Sequence, residues 1–191
     1  MTTDYAVGKN LGTVGDYTVN GSPTIVTSGT EYLSNHGQGG LVWIKKRSGS
    51  ANHTLQDTVR GATKHIRSSG DSSESTEAQT ITAFNSNGFL VGTDDLVNAD
   101  SSTYVGWTFR KAPKFFDIVT YTGNGVQGRT ISHNLDNLVG MLIIKCTSHA
   151  SDWSVQHRMV LPSKYLALNE THSAQTDGLR FHSTAAGKRD I

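Results

Sequence analysis

The composition of this 191-residue chain excludes several classes of protein. Hydrophobic residues make up 35%, charged residues 17% and aromatic residues 8%, with 20 glycines and a formal net charge of +1. Disordered chains combine high net charge with few aromatics, and coiled coils are rich in Ala, Glu, Lys and Leu, so neither class fits. A net charge near zero provides no long-range field for phosphate backbones or anionic lipid. We therefore expect neither nucleic acid nor a membrane among the partners.

The cysteine content and the first ten residues indicate the cellular compartment in which the protein is made. Cys146 is the single cysteine, which excludes an intrachain disulfide and a zinc site built from several cysteines. Residues 1–10 have neither the basic nor the apolar region of a secretory leader, and no apolar run approaches the roughly 18 residues of a membrane span. We expect a protein that is made in a cytoplasm and leaves it only as part of a particle.

Taken in chain order, the predicted elements are almost exclusively strands. No window sustains the i, i+3, i+4, i+7 apolar pattern of an amphipathic helix, while Ser, Thr, Gly and Asn recur every few residues. Short β-branched or aromatic segments alternate with turn residues at the spacing typical of sandwiches and barrels. The predicted strands are Thr24–Thr27, Leu41–Lys46, His53–Thr58, Thr80–Phe84, Phe89–Val91, Thr103–Arg110, Phe115–Tyr121, Gly128–Ser132, Met141–Thr147, Trp153–His157 and Lys164–Leu168.

Two patterns predict how these strands are buried. In Thr103–Arg110 apolar residues alternate with small or hydroxylated ones, so the face that carries Trp107 is expected to cover a core. Leu41–Ile44 and Met141–Ile144 are apolar without alternation, as in strands covered on both faces. We therefore expect these two segments to be central strands of a sandwich.

Three Asn-Gly pairs are typical of two-residue hairpin turns, because both residues tolerate a positive φ angle. They are Asn20-Gly21, Asn87-Gly88 and Asn124-Gly125. The third lies in Gly123–Gly128, whose letters match the GxGxxG of a dinucleotide-binding loop. The residues that follow are strand-like, whereas a phosphate site requires a helix N-terminus there, so we interpret this segment as a hairpin.

The chain is similar to itself at an offset of 100 residues, and in both halves a strand, a polar turn, a strand, a turn and a strand follow one another. Duplication of a β unit that cannot bury its own face explains this pattern, and chance similarity between two Ser/Thr-rich hairpins is the alternative. The identical pairs include Gly40 and Gly140, Ile44 and Ile144, Lys45 and Lys145, Ser48 and Ser148, Gln56 and Gln156, and Lys64 and Lys164.

The repeat suggests a division of the chain. Residues 1–39 are predicted as an N-terminal assembly segment, residues 40–169 as a duplicated β-sandwich core and residues 170–191 as a C-terminal tail. In the second copy, the residues after Phe181 lack a counterpart of the strand Phe89–Val91. An uncovered strand edge invites pairing with another chain, so we expect a homo-oligomer.

Several stretches of the sequence resemble a family of phage virion proteins, found in marine and cyanobacterial phages, that are tail-fibre-like or of unknown function. That family is similar in character to concanavalin-like lectin sandwiches, so the resemblance implies a jelly-roll-like antiparallel β-sandwich built from the two repeats and carried on a phage particle. It supplies no catalytic motif. The resembling stretches are Gly40–Ser48, His53–Ala62, Phe84–Phe89, Val97-Asn98, Tyr104–Trp107, Phe116–Gly125 and Lys164–Asn169.

The sequence offers no set of residues for catalysis. Glycoside hydrolysis needs two nearby carboxylates, and no predicted strand carries an acidic i, i+2 pair, while Glu74 and Glu77 lie in a polar loop. There is no GxSxG nucleophile motif, and Cys146 falls on a segment predicted to be a buried strand, where its role is packing. We therefore predict that the chain is not an enzyme.

Two weak ligand sites are predicted. Asp94, Asp95, Asn98 and Asp100 crowd one loop with the oxygens that calcium prefers, although the spacing of an EF-hand is missing and Asx residues are common in turns. No other cofactor is expected. Trp153, preceded by Asp152 in a polar stretch, is predicted to be an exposed ring on which a sugar could stack, with Asn52 and His53 at the equivalent place in the first copy.

These observations lead to a ranked set of functions. The first is a phage virion structural protein, a tail-fibre or particle-surface subunit involved in host attachment, whose partners are other virion proteins. The alternative is a carbohydrate-binding module that recognises host surface glycans. A capsid decoration protein and a glycan depolymerase rank lower.

Overall fold

The computed structural model describes residues 39–85, 88–161 and 163–176, together with the backbone of residues 13–18 and 24–27. Every strand pairing in these ranges is antiparallel, and the single helix within them has four residues. The predicted all-β class is confirmed. The elements are β1 Thr13–Thr18, β2 Thr24–Thr27, β3 Gly40–Lys46, β4 Thr54–Asp57, β5 Lys64–His65, β6 Ser75–Thr76, β7 Ile81–Asn85, β8 Gly88–Val91, α1 Asp95–Asn98, β9 Thr103–Arg110, β10 Met141–Ile144, β11 Ser154–His157, β12 Lys164–Ala167 and β13 Gln175–Thr176.

Strand β3 is central in the first sheet, whose order is β1-β9-β3-β4. Its apolar run Leu41–Ile44 pairs with β4 on one side and β9 on the other, as predicted. The close approach of β9 explains the glycine at the start of the strand. A Cβ atom on Gly40 would lie 2.1 Å from the carbonyl oxygen of Phe109, a distance that no side chain tolerates.

A three-stranded sheet, ordered β2-β8-β7, supplies the other half of the main core. Val42 and Ile44 of β3 belong to the same buried cluster as Ile81 of β7 and Phe89 of β8. Strand β7 ends at Asn85 and β8 begins at Gly88, which pairs with Asn85, so Gly88 of the predicted Asn87-Gly88 turn is a strand residue. Residue 87 itself, like the Asn20-Gly21 pair, lies outside the described residues.

The faces of β9 are the reverse of the prediction. Tyr104, Gly106, Thr108 and Arg110 are buried, whereas the face that carries Trp107 is half-buried. Gly106 leaves room beneath the ring of Phe89, and the Tyr104 hydroxyl donates to the Asp95 carbonyl at 2.7 Å. Alternation therefore distinguished the two faces of β9 correctly but did not identify the face that packs against the core. A glycine and a hydrogen-bonded tyrosine fit the narrow core better than larger rings.

The third sheet has the order β10-β11-β12-β13. Its pairings coincide with those of β3 to β6 when 100 is added to each number. Ile44 is paired with Thr54 and Ile144 with Ser154, and Lys64 is paired with Thr76 and Lys164 with Thr176. The bridge between Leu55 and Ile66 likewise corresponds to the pair Val155 and Leu166.

Strand β10 is an edge strand of its sheet within the described residues, so the prediction that Met141–Ile144 is central was wrong. Met141 is 53% exposed and Ile143 is 43% exposed. The apolar run alone predicted burial on both faces, but burial also requires neighbouring elements. Strand β9, which pairs with β3, has no counterpart beside β10 among the described residues.

Two loops join the first and third sheets. The backbone N–H of Glu74 donates to the carbonyl of Thr147 at 3.0 Å, and that of Ser151 donates to the carbonyl of Asp71 at 2.8 Å. The Lys145 ammonium donates to the same Asp71 carbonyl at 3.0 Å. These contacts dock the loop after β5 against the loop between β10 and β11.

The predicted strands Phe115–Tyr121 and Gly128–Ser132 are absent, and no strand occurs between residues 117 and 140, all of which the structure describes. The Asn124-Gly125 pair therefore does not join two strands, although Gly125 has the expected positive φ of 70°. β-branched and aromatic residues favour a strand only where a neighbour completes the hydrogen-bond ladder.

The strands also cross the predicted domain boundaries. Strands β1 and β2 belong to residues 1–39 and pair with β9 and β8, respectively. Strand β13 belongs to residues 170–191 and pairs with β12. The two terminal segments thus contribute strands to the sheets, and their proposed role in assembly stays a prediction.

Candidate functional site

Trp153, the main predicted ligand residue, is buried rather than exposed. Its side chain is 5% exposed and packs with Leu55 and Ile66, a cluster that we call the seam because it joins the first and third sheets. The indole N–H donates to the carbonyl of Arg67 at 2.8 Å. The prediction of an exposed ring was wrong because the polar residues before Trp153 belong to a loop that docks on the first sheet.

The other three predicted ligand residues lie around the seam, with their polar atoms engaged in protein contacts. The carboxylate of Asp152 accepts from the Asn169 side-chain amide at 2.9 Å. The Asn52 side-chain oxygen accepts from the Ser69 hydroxyl at 3.0 Å. The Nδ1 atom of His53 accepts from the Trp43 indole N–H at 2.8 Å. The structure therefore brings the four predicted residues into one region, where Trp153 is buried, Asp152 and His53 are half-buried and Asn52 is exposed.

A second aromatic group, which the sequence did not single out, lies on the outer side of the first sheet. Trp43 and Trp107 are cross-strand partners whose ring centroids are 6.0 Å apart, and His53 packs edge-on against Trp43 at 5.7 Å. Both indoles are half-buried. We call these three residues the aromatic face. The alternation in Thr103–Arg110 was the available signal, but it was interpreted as the buried side.

The chemistry of His53 follows from its position on the aromatic face. Burial and the nearby Lys45 ammonium lower the pKa of His53 below its usual value. The imidazole is therefore neutral at pH 7, and because Nδ1 accepts from Trp43, the proton resides on Nε2. The aromatic face thus offers two apolar rings and one hydrogen-bond donor, a combination that suits a sugar ring and its hydroxyls.

The predicted calcium loop is organised as a helix cap. The Asp94 carboxylate accepts from the Leu96 backbone N–H at 2.8 Å and caps α1, and the buried Asn98 amide donates to the Gly92 carbonyl. The Asp100 carboxylate accepts from the neighbouring Ser101 hydroxyl. No group of three acidic, histidine or cysteine side chains that could hold a metal ion occurs in the described part of the chain. In this arrangement the Asp94 carboxylate and the Asn98 amide are engaged in protein contacts, and calcium binding by the loop stays a prediction.

Residues 117–134 form an exposed loop that folds back on itself, which we call the arm. The Arg129 guanidinium donates to the Thr122 carbonyl and lies 5.9 Å from the Tyr121 ring centroid. At the base of the arm, the Asn134 backbone N–H donates to the Asp117 carboxylate at 2.7 Å. Tyr121 is 47% exposed and Val126 is 64% exposed at the far end.

Asp117 anchors the arm. Its carboxylate is 3.1 Å from the Lys111 ammonium. Burial acts to raise its pKa, but the hydrogen bonds from the Asn134 backbone, Lys111 and the Ile118 backbone outweigh burial and hold the pKa of Asp117 below its usual value. The carboxylate is consequently ionised at neutral pH and ties both ends of the arm to the residue that follows β9.

Cys146 lies in the loop after β10, so the prediction of a buried strand position was wrong. It is half-buried, and its sulfur is 3.2 Å from Nδ1 of His149 and 3.5 Å from the Ser148 hydroxyl. The hydrogen bond from Ser148 is the main cause that lowers the pKa of the Cys146 thiol, with smaller contributions from the His149 and Ser148 backbone and from Lys145. The strand ends at Ile144, three residues earlier than the predicted end at Thr147.

Several antiparallel sheets, a buried seam and exposed polar loops define the chain as an all-β protein of sandwich-like character. Residues 14–191 match the family model described as "Domain of unknown function (DUF7483)", so the chain belongs to that family. No curated protein and no solved structure matches the chain. Within the described residues, no helix has the length and apolarity that a membrane span requires.

Proposed function

We propose that this protein is a structural subunit of a phage virion, a tail-fibre or particle-surface protein that takes part in host attachment. The arm is the observation that carries the proposal. It extends polar and aromatic side chains from a scaffold of stacked sheets, and long loops held by a rigid scaffold are where binding residues concentrate in β proteins. The resemblance of the sheet-forming stretches to phage virion proteins supports the same function.

The location of the protein tests this proposal directly. Antibodies raised against the purified chain should detect it in purified particles of the virus whose genome encodes it, and gold-labelled antibody should mark the tail or particle surface in electron micrographs. Detection only in the lysate after the particles have been removed would contradict a virion role. Pre-incubation of host cells with the purified chain should reduce adsorption. The variant Tyr121→Ala should compete less well, whereas Met159→Ala, at an exposed apolar residue outside the arm, should compete fully.

We propose further that the two halves arose by duplication of a β unit of about 100 residues within a jelly-roll-like sandwich. The support is the register: Thr58 N–H donates to the Gly40 carbonyl at 3.0 Å and Arg158 N–H donates to the Gly140 carbonyl at 2.9 Å, in addition to the strand pairs that coincide at the same offset. Two chance hairpins would not be expected to share both sequence identities and partners. Alignment of related sequences tests the duplication. In such a set, one half should align better with the other half than with unrelated β proteins.

Glycan recognition is the second candidate function, and the aromatic face favours it. Trp43 and Trp107 present two half-exposed indoles on one sheet surface, and Trp side chains are common stacking platforms for apolar ring faces. Binding of bacterial surface polysaccharides, measured by calorimetry, should weaken at least tenfold in Trp107→Ala and less in Trp107→Phe, which keeps an aromatic ring. Equal binding by Trp107→Ala and the wild type would exclude the aromatic face as the site.

In this proposal the chain acts by binding and not by catalysis. Partners are other virion proteins and host surface glycans, and the place of action is the virion. Incubation of the purified chain with the polysaccharides used for the binding measurements tests this distinction. Release of reducing sugar would show that the chain is a depolymerase instead. Addition of calcium should leave thermal stability unchanged if the Asp94 loop works only as a helix cap, whereas a rise in melting temperature would indicate a calcium site.

A further inference from the structure

Strand β10 has one open edge. In the first sheet, the equivalent strand β3 lies between β4 and β9, whereas β10 is paired only with β11 among the described residues. The Gly140 carbonyl accepts from Arg158 next to β11. Because backbone groups of alternate residues point to the same side of a strand, the N–H and C=O groups of Met141 and Ile143 face the open edge.

This edge lacks the features that prevent strand pairing. Monomeric proteins protect edge strands with charges, prolines, bulges or very short strands. Strand β7, at the edge of the second sheet, has a register irregularity between Ile81 and Ala83, and β13 is only two residues long. Strand β10 has four apolar residues and none of these features, and Met141 and Ile143 are 53% and 43% exposed.

The order of the strands argues against the chain's own remaining residues as the occupant. Residues 177–191 follow β13, which lies at the opposite edge of the sheet, three strand positions from β10. Residues 1–12 precede β1 and residues 28–38 lie between β2 and β3 in the sequence, and these three strands belong to the first two sheets. A second copy of the chain, in contrast, brings an identical open edge, and a two-fold axis allows identical edges to satisfy each other.

We propose that β10 pairs antiparallel with β10 of a second copy about a two-fold axis at Leu142, which makes one continuous eight-stranded sheet. In this register Leu142 faces Leu142 of the second copy, and Met141 faces Ile143 of the second copy. The N–H and C=O groups of Met141 and Ile143, which face the open edge in each copy, then all form hydrogen bonds. The facing side chains are apolar, and the nearest charged residue, Lys145, lies opposite Val139, so no like charges meet.

This inference does not rest on the proposed virion function, since a dimer could form in a protein of any role. The interface would place Met141 of one copy beside Ile143 of the other, which covers part of both side chains. It also predicts a specific register, and the register can be tested residue by residue. A virion role could therefore fail while the dimer holds, and the reverse is equally possible.

Cysteine crosslinking tests the register. In the background Cys146→Ser, the variant Leu142→Cys should form a disulfide-linked dimer under mild oxidation, because facing residues of a non-hydrogen-bonded pair have Cα atoms about 4.5 Å apart. Met141→Cys is the matched control. The two cysteines at position 141 would be about 7 Å apart along the strands, in addition to the spacing between the strands. This separation is too large for a disulfide. Crosslinking of Met141→Cys but not of Leu142→Cys would overturn the register.

Sedimentation equilibrium tests the interface itself. The wild type should dimerise, and Ile143→Lys should weaken dimerisation at least tenfold because it places a charge at the centre of the paired edges. Met159→Lys, at an 81% exposed apolar residue outside β10, should dimerise like the wild type. A wild type that is monomeric at every concentration, or an Ile143→Lys variant that dimerises normally, would overturn the proposal.

Hydrogen exchange separates a second copy from the chain's own residues and needs no variant. The amides of Met141 and Ile143 should be protected at high protein concentration and should exchange faster on dilution below the dimer dissociation constant. Protection that is independent of concentration would mean that a segment of the same chain covers the edge, and the proposal would then be wrong.

Discussion

The units β3–β6 and β10–β13 have the same strand pairing but very different surroundings. Ile44 is completely buried, whereas Ile144, at the equivalent position, is half-buried. A Cβ on Gly40 would meet the Phe109 carbonyl at 2.1 Å, whereas no atom of the described residues lies within 4 Å of the same position on Gly140. Pairing within each unit thus follows from its own residues, while burial depends on which other elements pack against it.

A pair of equivalent glutamines shows how the same side chain adapts. The Gln56 side-chain amide accepts from the Ile81 backbone N–H at 3.1 Å and donates to the Ile81 carbonyl, which ties the first sheet to the second. The Gln156 amide instead donates to the Leu161 carbonyl and accepts from the His157 N–H within its own sheet. Both amides are satisfied, but only the first one links two sheets.

Removal of Trp153 should produce the largest effect, because this side chain is shared by both units. We expect Trp153→Ala to lower the free energy of unfolding by about 4 kcal/mol through loss of buried area and of the bond to the Arg67 carbonyl. The control is His53→Ala at the equivalent position, expected to cost about 1 kcal/mol because it frees the Trp43 N–H. Urea denaturation measures both, and similar losses would show that the seam does not join the units.

The paired isoleucines should separate the two environments. Ile44→Ala should cost about 3.5 kcal/mol, since it leaves a cavity in the main core, and Ile144→Ala about 1 kcal/mol, since its site is partly solvated. Chemical denaturation at a protein concentration where the chain is monomeric measures both values. Equal losses would indicate that β10 is as enclosed as β3.

The paired glycines test the close approach of β9. Gly40→Ala should cost about 2.5 kcal/mol because the added methyl group forces β3 and β9 apart. Gly140→Ala has open space and should change stability by less than about 0.5 kcal/mol. Thermal unfolding followed by circular dichroism provides the comparison, and a Gly40→Ala variant as stable as the wild type would contradict the β3–β9 spacing.

The smallest expected effect is a pH dependence from His65, whose counterpart in the second unit is Tyr165. His65 is completely buried beside the Ser75 hydroxyl. Burial is the main cause that lowers its pKa, and Arg67 and Arg60 act in the same direction, whereas Glu77 and Asp94 act to raise it.

Because the folded pKa of His65 lies below the unfolded value of about 6.5, the unfolded chain binds more protons between the two values. Stability is therefore fully present above about pH 6.5 and decreases as the pH falls toward the folded pKa. His65→Gln should reduce this slope in unfolding experiments between pH 7 and pH 5, while His172→Gln at an exposed site should keep it. His53, whose pKa is also lowered, contributes a slope of the same sign.

Local pattern predicted most strands but only part of the site. Thr24–Thr27 and Thr103–Arg110 were located to the residue because turn residues bound a β-branched or aromatic run on both sides. The short helix α1 was missed, since four residues cannot display a helical period. Strand β1 was missed as well, because Thr13–Thr18 is a polar segment whose place in the sheet depends on pairing with β9.

The candidate site depended more heavily on tertiary contacts. The residues around Trp153 were placed in one region correctly, but their polarity suggested exposure where a docked loop produces burial. Trp107 was assigned to the core on the basis of alternation, although the narrower residues of β9 face inward. Periodicity distinguishes the two faces of a strand, but it does not determine which face another sheet covers.

The amino-acid sequence by itself determined the all-β class, the positions of most strands and the similarity between two units 100 residues apart, because these depend on local propensity and turn chemistry. Only the tertiary structure decided which unit is enclosed, that Trp153 fills a seam and that one edge of β10 is unpaired within the described ranges. The physical reason is that hydrogen-bond pairing is specified over a few residues, whereas burial is a property of neighbours that the chain brings together from distant positions.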